Sequence, residues 1–171
     1  MNNGKKFESD FKASVPKNVF YYRFKDGTAS WDKGEATRFQ AFNICDCMMF
    51  DKMTGLWLCE LKSHAGKSLP FSCIRDNQLK EMLQASEYQF VHPIFIINFR
   101  DVEKTFAIDA IKVARFIESG ERKSIPIDWL EENGDLVRCR KLRVNYRYDI
   151  SEFLDFKYYQ FVYSKNNIIL N

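Results

Sequence analysis

No run in this chain approaches eighteen consecutive apolar residues, so no segment reads as a membrane-spanning helix. Met1-Asn2-Asn3-Gly4-Lys5-Lys6 is polar where a secretory leader would be apolar. The cysteines are five, an odd number, and Cys45 and Cys47 lack the two-residue spacing of a structural zinc knuckle. A reducing, cytoplasmic setting with buried free thiols is therefore the expectation, rather than disulfides or a zinc site from Cys45, Cys47, Cys59 and Cys73. No charge of one sign dominates. A net +3 over 171 residues permits nucleic-acid binding without arguing for it. Gly66-Lys67-Ser68 lacks the earlier glycine of a phosphate loop, since Leu61 stands there. With no internal repeat and no compositional break, residues 1–171 are expected to form a single domain.

What the chain does have is apolar and aromatic material: 46% apolar residues, with 16 phenylalanines and 8 tyrosines. This excludes disorder for most of its length and leaves aromatics to spare for a binding surface. Phe7, Phe11 and Val15 recur at helical spacing before Pro16, which predicts a first helix over 4–15. Residues 19–24 read as a strand. Residues 25–42 are polar and read as a projecting loop or short stalk; Trp31 and Trp57 read as packing residues first, with Trp31 the better candidate of the two for base stacking. Residues 44–50 and 56–62 read as the two strands of a hairpin across Thr54-Gly55. A second helix is expected over 75–87, and Pro93–Phe99, apolar on both faces, as a central covered strand. Residues 104–108 should pair beside it, with a short helix over 110–118 and another starting within 125–130. Arg138, Arg140, Lys141, Arg143 and Arg147 form a cationic tail, either a phosphate stripe or a solvated strand face. Together these predict an α/β fold, a central mixed sheet flanked by helices.

The hairpin carries acid into otherwise apolar strands: Asp46 on the first, Glu60-Leu61-Lys62 on the second. Strand periodicity puts Glu60 and Lys62 on one face. Paired carboxylates with a neighbouring lysine suit metal-dependent phosphodiester hydrolysis, the acids holding a divalent cation and the lysine positioning water. Acid-x-Lys occurs four times, at Asp10, Glu60, Glu121 and Asp155, and only Glu60 has an acid in the adjoining apolar run. The same spacing also fits an edge strand with an exposed salt bridge, so the pattern alone leaves both readings open.

Several blocks in order resemble the RecU family of Holliday junction resolvases, restriction-endonuclease-like nucleases. They are Gly4-Lys5-Lys6-Phe7-Glu8, Asp46, Glu60-Leu61-Lys62, Leu69-Pro70-Phe71 through Asn77-Gln78-Leu79, and Arg122-Lys123-Ser124-Ile125-Pro126. The resemblance runs from Gly4 to about Asp149. It implies a homodimeric Mg²⁺-dependent endonuclease, with Mn²⁺ a possible substitute, that makes paired cuts in four-way DNA junctions during recombination and repair. Carried over, Asp46 and Glu60 would ligate the metal, Glu8 would complete the acidic cluster through water, Lys62 would orient the attacking water, and Gln78 would face the same cleft. Lys5, Arg23, Arg38, His64, Lys67 and Lys80 flank that cleft in sequence as candidate DNA contacts. Two departures stand out: Ile44-Cys45 precede Asp46 where the family has threonines, and the interval before Asp46 is shorter than the family's stalk. Other readings are a related nuclease acting on duplex, flap or end structures, and a non-catalytic DNA-binding recombination accessory protein.

Overall fold

The computed structural model describes residues 3–25 and 43–168. Apart from Lys25, the expected stalk over 25–42, with Trp31 and Arg38, lies outside them. Helix α1 (Asn3–Lys12) is followed by strand β1 (Phe20–Arg23) and the hairpin β2 (Cys47–Asp51) and β3 (Gly55–His64). Next come β4 (Ser68–Pro70), α2 (Asp76–Ala85), β5 (Val91–Phe99), β6 (Lys104–Asp109) and α3 (Ala110–Glu118). The chain continues through β7 (Ser124–Pro126), α4 (Ile127–Asn133), β8 (Asp135–Leu136), β9 (Cys139–Lys141), β10 (Tyr146–Tyr148) and α5 (Ile150–Ile168).

The main sheet is mixed, in the order β1-β2-β3-β5-β6-β8. Only β3 and β5 pair in parallel, and the other neighbours are antiparallel. Alternation along β3 and β5 sorts side chains onto two faces. Trp57, Cys59, Leu61, Ile94 and Ile96 pack with Phe7 and Phe11 of α1 and Phe153 and Leu154 of α5. Phe95, Ile97 and Phe99 pack on the opposite face with Met82 of α2, Val113 of α3 and Leu130 of α4. Helices thus cover both faces, and β5 is the buried centre its sequence predicted, with Pro93 through Phe99 all buried. Among the described residues, no helix is long and apolar enough to cross a membrane.

Two expectations need correction. The helix expected to start within 125–130 does so at Ile127, but Ile125-Pro126 ahead of it are strand: residues 124–126 pair with Ser68–Pro70 as a small antiparallel ribbon. Proline at the end of a three-residue strand sacrifices no ladder bond and supplies a suitable residue ahead of the helix. The first hairpin strand begins at Cys47, so Asp46 sits just before the regular ladder, although its carbonyl still accepts the Phe24 N–H at 3.0 Å.

Candidate active site

The hairpin turn sets the site's register. Asp51 Oδ2 accepts hydrogen bonds at 2.9 Å from the Met53 and Thr54 N–H groups and from the Thr54 hydroxyl. The Trp57 indole N–H in turn donates to Thr54 Oγ1 at 2.9 Å. Gly55 takes φ +98, and the Phe90 carbonyl lies 2.4 Å from where a Cβ would stand. The turn places Cys47 opposite Cys59, which brings Asp46 alongside Glu60. Cys47 and Cys59 point into the core, so the carboxylates face the other way, toward α2.

On that face Glu60 is only 3% exposed, and both Lys62 and Gln78 donate to it. Lys62 Nζ lies 2.7 Å from Oε1, the same-face pair the strand period predicted. The Gln78 amide donates to Oε2 at 2.6 Å. Asp46 Oδ2 accepts the Leu61 N–H at 2.8 Å, which holds its carboxylate over β3. Burial, then the Asp46 charge, push the Glu60 carboxyl up to about 7 against the pull of Lys62. Asp46 is also raised by burial, opposed by the Leu61 N–H and Lys62, while the Glu8 charge adds to the rise. Buried Glu60 and half-buried Asp46, in mutual repulsion beside one lysine, are a donor set that a divalent cation suits, because it relieves the conflict that raises the Glu60 carboxyl.

Glu8 lies within electrostatic reach of Asp46 but is held by Arg23, whose Nε and Nη2 sit 2.8 and 2.7 Å from Oε2. Among the described residues, no group of three or more His, Cys, Asp or Glu converges as a metal cage, so the acid centre is the pair Asp46 and Glu60. Gln78 faces this centre, and its Oε1 is buried without a hydrogen-bond partner. It also lines a cavity of about 330 Å³ with Asn43, Arg75, Asp76, Asn77 and Glu81. Sequence reasoning missed Arg75 and Asn43 because no spacing rule links a loop residue to a helix start thirty positions on.

The candidate DNA contacts divide. His64 follows Lys62 by two residues at the end of β3 and so shares its face, half-buried. Lys67 is exposed in the turn after it, and Lys5 is exposed on α1 one turn before Glu8. Lys80 is exposed two residues past Gln78, about 200° around the helix and away from Gln78's direction. Arg23 has its charge engaged by Glu8. Arg38 lies outside the described residues. The cysteines are free; Cys45, Cys47 and Cys59 are buried as expected, whereas Cys73 and Cys139 are half-buried.

A family model described as RecU, recombination protein U, matches residues 54–152. That span begins at the hairpin turn and contains Glu60, Lys62 and Gln78. A protein of Bacillus subtilis (strain 168), the SPbeta prophage-derived uncharacterized protein YotM, is 32% identical over 167 residues, covering 88% of this chain and 84% of that protein.

Proposed function

The chain belongs to the RecU family, and on that premise we propose that it is a divalent-metal-dependent endodeoxyribonuclease that resolves four-way DNA junctions by paired hydrolytic nicks. The observation that carries the reading is the buried Glu60, clamped between Lys62 and Gln78 and repelled by Asp46 on one face of β3. A structural salt bridge on an edge strand would not be 3% exposed, nor would it sit on a strand flanked on both sides. The fold proposed with this activity is the restriction-endonuclease-like one, and the acidic β2–β3 hairpin supports it.

Asp46 and Glu60 are the residues that would hold Mg²⁺, or Mn²⁺ in its place, with Glu8 contributing through water. Bound there, the cation would supply charge neutralisation for the scissile phosphate. Gln78 fixes the orientation of the Glu60 carboxylate through its 2.6 Å bond. Lys62 presents its ammonium beside that carboxylate, where it positions the attacking water and favours loss of its proton. Exposed Lys5 and Lys67, with His64, would meet the DNA backbone on either side. Paired cuts in one junction need two such centres, so the working unit is a homodimer.

The test compares cleavage of a labelled synthetic four-way junction with that of a linear duplex of the same sequence, in Mg²⁺ and in chelator. Symmetric nicks confined to the junction and abolished by chelator are expected. Equal cutting of both substrates would keep the nuclease and discard junction selectivity, the property on which the short interval before Asp46 bears. Binding without cutting in any divalent cation would leave a DNA-binding accessory protein.

A further inference from the structure

The cationic tail folds into a hairpin, β9 with β10, whose two faces differ. Its inward face is fully committed. Cys139 and Tyr148 are partners there, and Tyr148 is buried with its ring 5.3 Å from that of Phe7. Lys141 and Tyr146 are partners too, and Glu103 binds both the lysine and the tyrosine hydroxyl. The outward face carries Arg140 and Arg147, placed directly opposite each other. Side chains in that relation have Cβ atoms about 5 Å apart, and like charges so placed destabilise the ribbon.

Among the described residues, neither arginine forms an ion pair: Glu103 is taken by Lys141 and Glu152 by Arg138 at 2.9 Å. Asp149, the nearest remaining acid in sequence, caps α5 through the Glu152 N–H at 3.2 Å. Arg138, Arg140 and Arg147 line a concavity of about 360 Å³ with Cys139, Tyr148 and Asp149. The ribbon is anchored: the Tyr146 N–H donates to buried Asp10 of α1 at 3.2 Å, and Lys6 reaches Asn145 in its turn at 3.1 Å. Arg140 is exposed and Arg147 half-buried, and with Arg138 they put three arginines against the single carboxylate of Asp149 around this concavity, an excess of positive charge on a fixed ribbon that suits an anion accepting bidentate contacts.

We infer that the β9–β10 ribbon is a second DNA-backbone contact, separate from the acidic centre, with Arg140 and Arg147 gripping phosphates of the bound arm. This rests on the DNA reading above and extends it to a surface that reading does not use. Each arginine neutralises about one phosphate, so removing both should lower the salt dependence of binding by about 2 in log–log slope on duplex arms.

The measurement is fluorescence anisotropy of a labelled four-way junction titrated at several KCl concentrations in chelator. It compares wild type, Arg140→Gln/Arg147→Gln, Arg140→Lys/Arg147→Lys, and Lys104→Ala, an exposed lysine paired with Glu131, as the control for loss of charge elsewhere. The glutamine pair should lose about 2 units of slope and on the order of tenfold in affinity. The lysine pair should keep the slope while losing affinity, because charge remains and the bidentate fork does not. A glutamine pair that matches Lys104→Ala in slope would overturn the inference. If that variant misfolds by circular dichroism, the lysine pair decides: affinity equal to wild type overturns the inference. Wild-type cutting of the same junction in Mg²⁺, read in parallel, judges the nuclease reading separately.

Discussion

Glu60 is the buried carboxyl at the centre of the candidate site. Its folded-state carboxyl titrates near 7, above the ordinary value of 4.5, chiefly because it is buried and then because Asp46 faces it. A raised folded-state pKa stabilises fully below pH 4.5, and that contribution is lost as pH rises through about 7. In chelator, the unfolding free energy should therefore fall by about 3 kcal/mol between pH 4.5 and 7.5 from this group. Urea melts across that range should show the decline in wild type and its loss in Glu60→Gln; an unchanged slope in the variant would place the titration elsewhere. Lys62 makes a kinetic prediction. Lys62→Met should lower the single-turnover cleavage rate by about 10²-fold while junction affinity changes little, as expected for a group that acts on the attacking water. Equal losses in rate and affinity would make it a DNA contact instead. Lys62 was legible in the sequence because strand period 2 needs only local information. Glu8 came from the family resemblance alone, and its capture by Arg23, fifteen residues away, was not legible.

At the scale of elements, the β2–β3 turn is the part on which the site's register depends. Gly55 combines a left-handed φ of +98 with the Phe90 backbone standing where a Cβ would project. Gly55→Ala should cost about 3 kcal/mol and lower the melting temperature by roughly 6–12 °C. A shift below 2 °C would show that the turn relaxes freely. The helices α1, α2 and α3 and the strands β3, β5 and β6 were readable because each carries its own period or an unbroken apolar run. The β4–β7 ribbon was not, because its two three-residue strands are joined only by tertiary contact, Leu69 facing Ile125 across the fold. The helix α5 was also missed: with half-buried Tyr158 and Phe161, its aromatics go all round, Phe153 buried and Phe156, Tyr159 and Tyr163 exposed. Burial on one side only gives such a segment no sharp apolar stripe. Gln78 came from family resemblance alone, since no local pattern marks a buried glutamine aimed at a carboxylate.

For the whole molecule, cation binding and folding should be linked. Asp46 and Glu60 are brought together by the folded hairpin, so a cation held there stabilises the native state by mass action. Saturating Mg²⁺, at about a hundred times its dissociation constant, should add about 3 kcal/mol and raise the melting temperature by roughly 5–10 °C over chelator. The gain should vanish in Asp46→Asn. Helices on both faces of the sheet and the ribbon held to α1 give this centre a rigid setting. The most direct test of the account is cleavage and binding of a four-way junction by Asp46→Asn beside wild type in Mg²⁺. The account predicts that turnover falls by at least about 10²-fold while the junction is bound as tightly or more tightly, because a negative charge facing phosphate is gone. A variant that cuts at the wild-type rate would contradict it, and the acidic hairpin would then be a structural salt bridge with no part in the reaction.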